Sequence, residues 1–196
     1  MKKGLIAIIV AAAVVLAVFA WVKNSYNSFV SGEEQVSAAW AQVENVYQRR
    51  ADLIPNLVAT VKGYASHEQE TLESVIAARS RATSVTVDPS TLSEEQIAGY
   101  SAAQSELGST LGRLLMIAEN YPDLKANTNF LELQAQLEGT ENRIATERQR
   151  YTEAVRDYNT EIKKFPTNIY AGWFGFTAKP QFTAEAGAEK APEVKF

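Results

Sequence analysis

The chain has 196 residues, enough for one domain plus an anchor, and a formal net charge of −4. That mild acidity argues against a binder of nucleic-acid backbones, which needs a basic face. With no cysteine in the chain, disulfides, thiol catalysis, cysteine-ligated zinc and a lipidated N-terminal cysteine are excluded.

The N-terminal stretch GLIAIIVAAAVVLAVFAWV, residues 4–22, carries no charge. As a helix it spans roughly 28 Å, close to the thickness of a hydrocarbon core. Lys2 and Lys3 precede it, and Trp21, Lys23 and Tyr26 follow as an interfacial set. Positive charge is retained on the cytoplasmic side, so the chain is expected to run N-terminus in and C-terminus out. It would be a single-pass protein of the cell membrane with its folded part on the extracytoplasmic side. The competing reading is a cleaved signal peptide, because VFA ending at Ala20 offers small residues to a peptidase.

Residues 26–64 show a spacing of seven. Phe29, Val36, Val43, Arg50, Leu57 and Tyr64 form one series, and Glu33, Trp40, Tyr47, Ile54 and Val61 the other. Together they make the apolar seam of a long amphipathic helix, with Arg50 and Glu33 as its charged members. Pro55 lies inside that helix, where it removes one backbone bond. A wrapped helix is the structural reading and a ligand at the freed carbonyl the functional one. Gly63 and the sequence SHEQ (Ser66, Gln69) predict a helix end and a capping box that opens a second helix. Leu72, Val75, Ile76 and Arg79 mark the second helix, which fades around Asp88 and Pro89.

SEEQ (Ser93, Gln96) is a second capping box. The helix behind it turns Ile97, Tyr100, Leu107, Leu111, Leu114 and Leu115 to a core and closes before Pro122. Asn129, with Glu132 three residues on, is expected to start the last helix. The seam of that helix is Phe130, Leu137, Ile144, Tyr151, Tyr158 and Phe165, supported by Leu133, Val155 and Ile162, and Pro166 stops it. The aromatic run TNIYAGWFGFTAKPQF follows, with Gly172 and Gly175 permitting turns.

The expected organisation is an anchor over residues 1–23, a helical bundle over 24–166, an aromatic segment over 167–182 and a disordered tail over 183–196. The fold class is all-α: an N-terminal transmembrane helix followed by an antiparallel, up-and-down four-helix bundle with long first and last helices. Each long helix would run roughly 60 Å, bringing the aromatic segment back to the membrane.

Several segments in this order resemble the LemA family: RRADLIPNLVATVKGYASHE, the AARS at residues 77–80, LLMIAENYPDLKAN, LEGTENRIATERQRYTEAVRDYN and FPTNIYAGWFGF. The resemblance covers nearly the whole chain after the anchor. It implies a bacterial membrane-anchored protein with a bromodomain-like four-helix bundle, and it brings no catalytic residues to carry over.

The remaining motifs divide between architecture and interaction. Arg50 in a seam needs a partner, because an unpaired buried charge is very costly. Glu119, Glu138 and Glu141 are the acidic candidates, and Arg148 follows Glu141 on the same stripe. A polar layer of Arg50, Glu119, Glu141 and Arg148 would fix helix register; a catalytic carboxylate pair is the alternative. His67 is the only histidine and sits in the cap-like SHEQ, so it reads as solvated. Neither a histidine-rich metal site nor a serine nucleophile with its base is supported, and there is no glycine-rich phosphate loop. No cofactor, small-molecule substrate or nucleic acid is expected. The expected function is a non-enzymatic protein-binding or scaffolding module of the bacterial envelope, partnered by the membrane and by an envelope or membrane protein. Tyr170, Trp173, Phe174 and Phe176 form the candidate interaction segment. They either pack over the open end of the bundle or meet a protein or the bilayer, whose surface the segment would then sense or shape.

Overall fold

The computed structural model describes residues 2–89 and 91–182. The elements in chain order are α1 (Lys2–Tyr64), α2 (Gln69–Ser84), α3 (Glu94–Ala118), α4 (Pro122–Lys125), α5 (Thr128–Lys163), α6 (Asn168–Ala171) and a 3-10 turn (Gly172–Phe174). All are helical, and no strand occurs among the described residues. The expected tail at 183–196 lies outside them.

The apolar N-terminal run and the first seam are one helix. α1 continues for 63 residues, so the expected boundary at residue 23 coincides with no break in the backbone. An 18-residue window near its start has a mean hydropathy of 3.0 and none of it is buried, which makes the helix long and apolar enough to cross a membrane. Burial starts at Phe29 and follows the heptads through Val36, Trp40, Val43, Tyr47, Arg50, Ile54, Leu57 and Val61.

Paired residues show that α1 and α5 run antiparallel. Asn127 at the start of α5 donates through Nδ2 to the Tyr64 hydroxyl at 2.9 Å. Arg50 meets Glu141 at 2.8 Å. A Cβ added at Gly32 would lie 3.1 Å from Tyr158 Cδ2, so glycine permits the close approach there. α2 and α3 are also antiparallel, through Arg81 with Glu106 and Gln104 with Ala82. α2 and the C-terminal half of α3 cover the part of α1 remote from its apolar run. Ile54, Leu57 and Val61 share a core there with Leu72, Val75, Leu107, Leu114, Phe130 and Leu137. A second core lies nearer the anchor, where Phe29, Val36, Trp40 and Val43 meet Ile97, Tyr100, Tyr151, Val155, Tyr158 and Ile162. Each fully buried large side chain contributes about 1.5–3 kcal/mol.

Pro55 is accommodated by a neighbouring helix. Proline has no N–H for the carbonyl four residues back. That carbonyl belongs to Ala51, and Arg79 of α2 donates to it through Nε at 2.7 Å. The freed carbonyl is thus occupied by the protein's own guanidinium, not left open for a ligand.

Several helix ends differ from expectation. SEEQ forms its capping box, with Ser93 Oγ accepting from the Gln96 N–H and Gln96 Oε1 from the Ser93 N–H. SHEQ does not: α2 begins at Gln69 after Glu68, with no side-chain cap, because Gln69 Nε2 turns forward to Glu73 at 2.7 Å. α5 is capped by Asn127, not Asn129; Asn127 Oδ1 accepts the Phe130 N–H at 3.0 Å. α5 ends at Lys163, so Phe165 leaves the seam and is 81% exposed. Ile76 also faces outward.

After α5 the chain folds back on itself. Gly175 adopts φ +84, a left-handed conformation that glycine takes without a Cβ penalty. Beyond this reversal the chain runs as a strap along α1 and α5. Phe176 packs on Phe29 with ring centroids 5.2 Å apart, Lys179 Nζ meets Glu33 at 2.6 Å, and Phe182 stacks on Trp40 at 5.8 Å. Asn159 fixes the strap by donating to the Lys179 carbonyl and accepting its N–H, both at 2.8 Å. Tyr151 adds a bond from its hydroxyl to the Pro180 carbonyl at 2.9 Å. The strap therefore covers the anchor-proximal core.

Candidate functional site

Two places collect the residues singled out in the sequence. The first lies where α1, α3 and α5 meet. Arg50 projects from the α1 seam and is only 3% exposed. It donates to Glu141 Oε1 at 2.8 Å, to the Gln104 carbonyl at 2.9 Å and to Gln104 Oε1 at 2.7 Å. Its guanidinium also lies 5.0 Å from the centre of the Tyr47 ring. Gly108 passes close beside it; a Cβ there would lie 3.7 Å from the guanidinium. Gln104 in turn donates to the Ala82 carbonyl at 3.2 Å, so this set of polar bonds reaches α2 as well.

The acidic partners expected for Arg50 separate. Glu141 is present, with its side chain about half exposed at 49%. Glu119 is not: it lies at the C-terminal end of α3 and pairs with Lys125 of α4. Its place in the layer is taken by Gln104, which is buried. Sequence reasoning sought a charge to meet a charge and passed over a neutral glutamine inside the α3 apolar pattern. Arg148 lines the same groove, but its guanidinium lies over the Phe182 ring at 4.5 Å. Arg148 thus links the polar layer to the strap. Glu119 and Glu141 do not share the layer, so these two carboxylates do not form a pair there.

Burial governs the acidities here. It raises the Tyr47 hydroxyl above the usual tyrosine value, opposed by Arg148 and Arg50. Burial also raises Tyr100, reinforced by Glu44 and Tyr47. Glu44 is itself raised by burial. His67 is exposed, and no group of carboxylates or histidines able to hold a metal ion occurs among the described residues.

The second place is a collar of aromatic rings at the anchor-proximal end. Tyr170 meets Trp21 edge-on at 5.4 Å and tilts over Phe29 at 6.2 Å. Phe174 and Phe176 both meet Tyr26, at 5.3 and 5.4 Å. Tyr170 and Phe176 are buried, while Phe174 is 45% and Trp173 is 82% exposed. The candidate segment therefore divides: two rings close the core and two face outward.

These features define a class: an all-helical protein whose first helix carries a membrane-span-like apolar run directly into its core. The model of the LemA family matches residues 39–196, and the chain belongs to that family. It is 30% identical over 185 residues to Magnetosome protein MamQ 2 of Paramagnetospirillum magneticum, covering 86% of this chain and 68% of the relative. It is 25% identical over 153 residues to Protein LemA of Metamycoplasma hominis, covering 78% of this chain and 63% of the relative. Magnetosome protein MamQ of Magnetospirillum gryphiswaldense is 28% identical over 168 residues, with 77% and 62% covered.

Proposed function

We propose that this protein is a non-enzymatic, membrane-tethered scaffold whose antiparallel four-helix bundle binds a protein partner outside the cytoplasm. The observation that carries the reading is the continuity of α1 from apolar run to core. A helix without a hinge couples the position of the bundle to that of the anchor. The polar centre favours architecture over chemistry, since both terminal nitrogens of the Arg50 guanidinium donate to Glu141 and Gln104. The names of the relatives, LemA and MamQ, carry no catalytic designation. The end of the bundle remote from the anchor exposes Met116 and Leu131, and a partner would meet the protein there.

Photo-cross-linkers placed at Met116 and Leu131 in intact cells test the scaffold. A discrete adduct with an envelope protein, missing when the linker stands at exposed Glu34, supports it; no adduct from either distal position refutes it. Protease added to spheroplasts tests orientation: the bundle should be digested, and survival until the membrane is lysed would reverse the topology.

A further inference from the structure

We infer that the aromatic collar is a second membrane contact, seated in the same bilayer surface from which α1 emerges. Four side chains of the segment after α5 face outward: Phe165 is 81% exposed, Ile169 53%, Trp173 82% and Phe174 45%. Such a cluster on a protein surface marks an interaction site. Its position identifies the occupant. The apolar run of α1 extends through Val22, and Trp21, at its end, is in edge contact with Tyr170. One turn further along α1, Tyr26 holds Phe174. The cluster is therefore fixed beside the last residues of the span, at the depth where tryptophan and tyrosine are favoured in bilayers.

Charge agrees with this assignment. Lys23, two residues after Trp21, and Lys163, two before Phe165, are exposed; Lys164 is also exposed but pairs with Glu161 at 2.9 Å. Basic side chains extend to headgroups while their stems lie along apolar surface, and anionic lipids attract them. With α1 on one side and the collar on the other, the bundle would stand on two contacts. Its long axis would then be held against tilting, and the distal end would be presented at a set height. This rests on the tether proposed above.

The test uses the full chain, which has no native cysteine, in vesicles of phosphatidylethanolamine and phosphatidylglycerol. Spin labels are placed one at a time through Trp173→Cys, Val14→Cys in the apolar run and Ile76→Cys on exposed α2. All three positions are outward-facing, so the fold is not burdened. Collision with a water-soluble nickel chelate and with oxygen is measured for each. Lipid excludes nickel and admits oxygen, whereas protein burial excludes both. The Trp173 label should lose nickel accessibility several-fold relative to Ile76 and keep that of oxygen, at a shallower depth than Val14. A Trp173 label as open to nickel as Ile76, with Val14 protected, overturns the collar contact and leaves the tether standing. Exclusion of both reagents at Trp173 also overturns it, because the site would be covered by protein. A Val14 label open to nickel removes the tether and the collar contact with it.

Discussion

Replacing Arg50 with methionine tests the polar layer. The Arg50→Met chain keeps an apolar stem of similar length in the α1 seam, so the main loss is of hydrogen bonds. Gln104 is 6% exposed and loses the donor to its Oε1; a buried acceptor left unsatisfied costs about 1–3 kcal/mol. The Gln104 backbone carbonyl also loses a bond, but it lies inside α3 and remains in the helical ladder. Glu141 is half exposed and regains water, so it is not stranded as a fully buried carboxylate would be. The net expectation is about 2 kcal/mol of destabilisation, below the 3–5 kcal/mol typical of breaking a fully buried pair. Urea melts of the full chain in mild detergent, followed by far-UV circular dichroism, measure it. Glu141→Gln keeps an acceptor for Arg50 but takes the counter-charge from a guanidinium that is only 3% exposed; with the Gln104 bonds retained, it should cost about 1–3 kcal/mol. Adding Gln104→Leu to Arg50→Met should recover part of the loss, since the unsatisfied acceptor is then removed. An unchanged midpoint for Arg50→Met would refute the layer as a stabilising element. An unchanged midpoint for Glu141→Gln would show that the buried guanidinium does not depend on that carboxylate.

Four further expectations follow from single contacts. Arg79→Met should destabilise by about 1.5–3 kcal/mol as a charged donor is lost, and by less in a Pro55→Ala background, where a restored N–H takes the Ala51 carbonyl; additive losses in the double mutant would break the proposed link. Gly32→Val should cost about 1–3 kcal/mol by overpacking against buried Tyr158, and an unaltered melt would mean that the two helices separate freely. Ser93→Ala removes the α3 cap and should cost about 1 kcal/mol, seen as a lower urea midpoint. Burial, with Glu33 adding to it, raises Tyr158 from 10.0 to about 12. The folded state therefore holds that proton more tightly, and stability present below pH 10 is lost progressively up to about pH 12; the phenolate absorbance of a Tyr158→Phe comparison should show Tyr158 ionising around pH 12 in the folded chain, and ionisation near pH 10 there would contradict its burial.

Much of the helical layout was legible because it rests on period and on local chemistry. The uncharged run over residues 4–22, the heptads from Phe29 to Val61 and from Phe130 to Tyr158, and the Ser93–Gln96 box each depend on residues within a turn or two of one another. The lack of cysteine was decisive from composition alone. Local signals failed where two were in competition. Gln69 had Glu73 as well as Ser66 within reach, and Asn127 preceded Asn129 as a cap.

Tertiary structure alone decided which distant groups meet. A neutral glutamine with Arg50, a guanidinium filling the gap left by Pro55, and Lys179 meeting Glu33 are contacts between residues at least 28 positions apart, and no periodicity encodes them. The strap is the plainest case. Residues 176–182 have neither helical period nor strand alternation, so their sequence reads as an unstructured continuation of the aromatic run. Their course is set by a groove that exists only once α1 and α5 have paired, where Asn159, Glu33 and Trp40 stand in line to receive them. Composition and period set which residues needed burial or a partner; the packing of helices far apart in the chain determined where those needs were met.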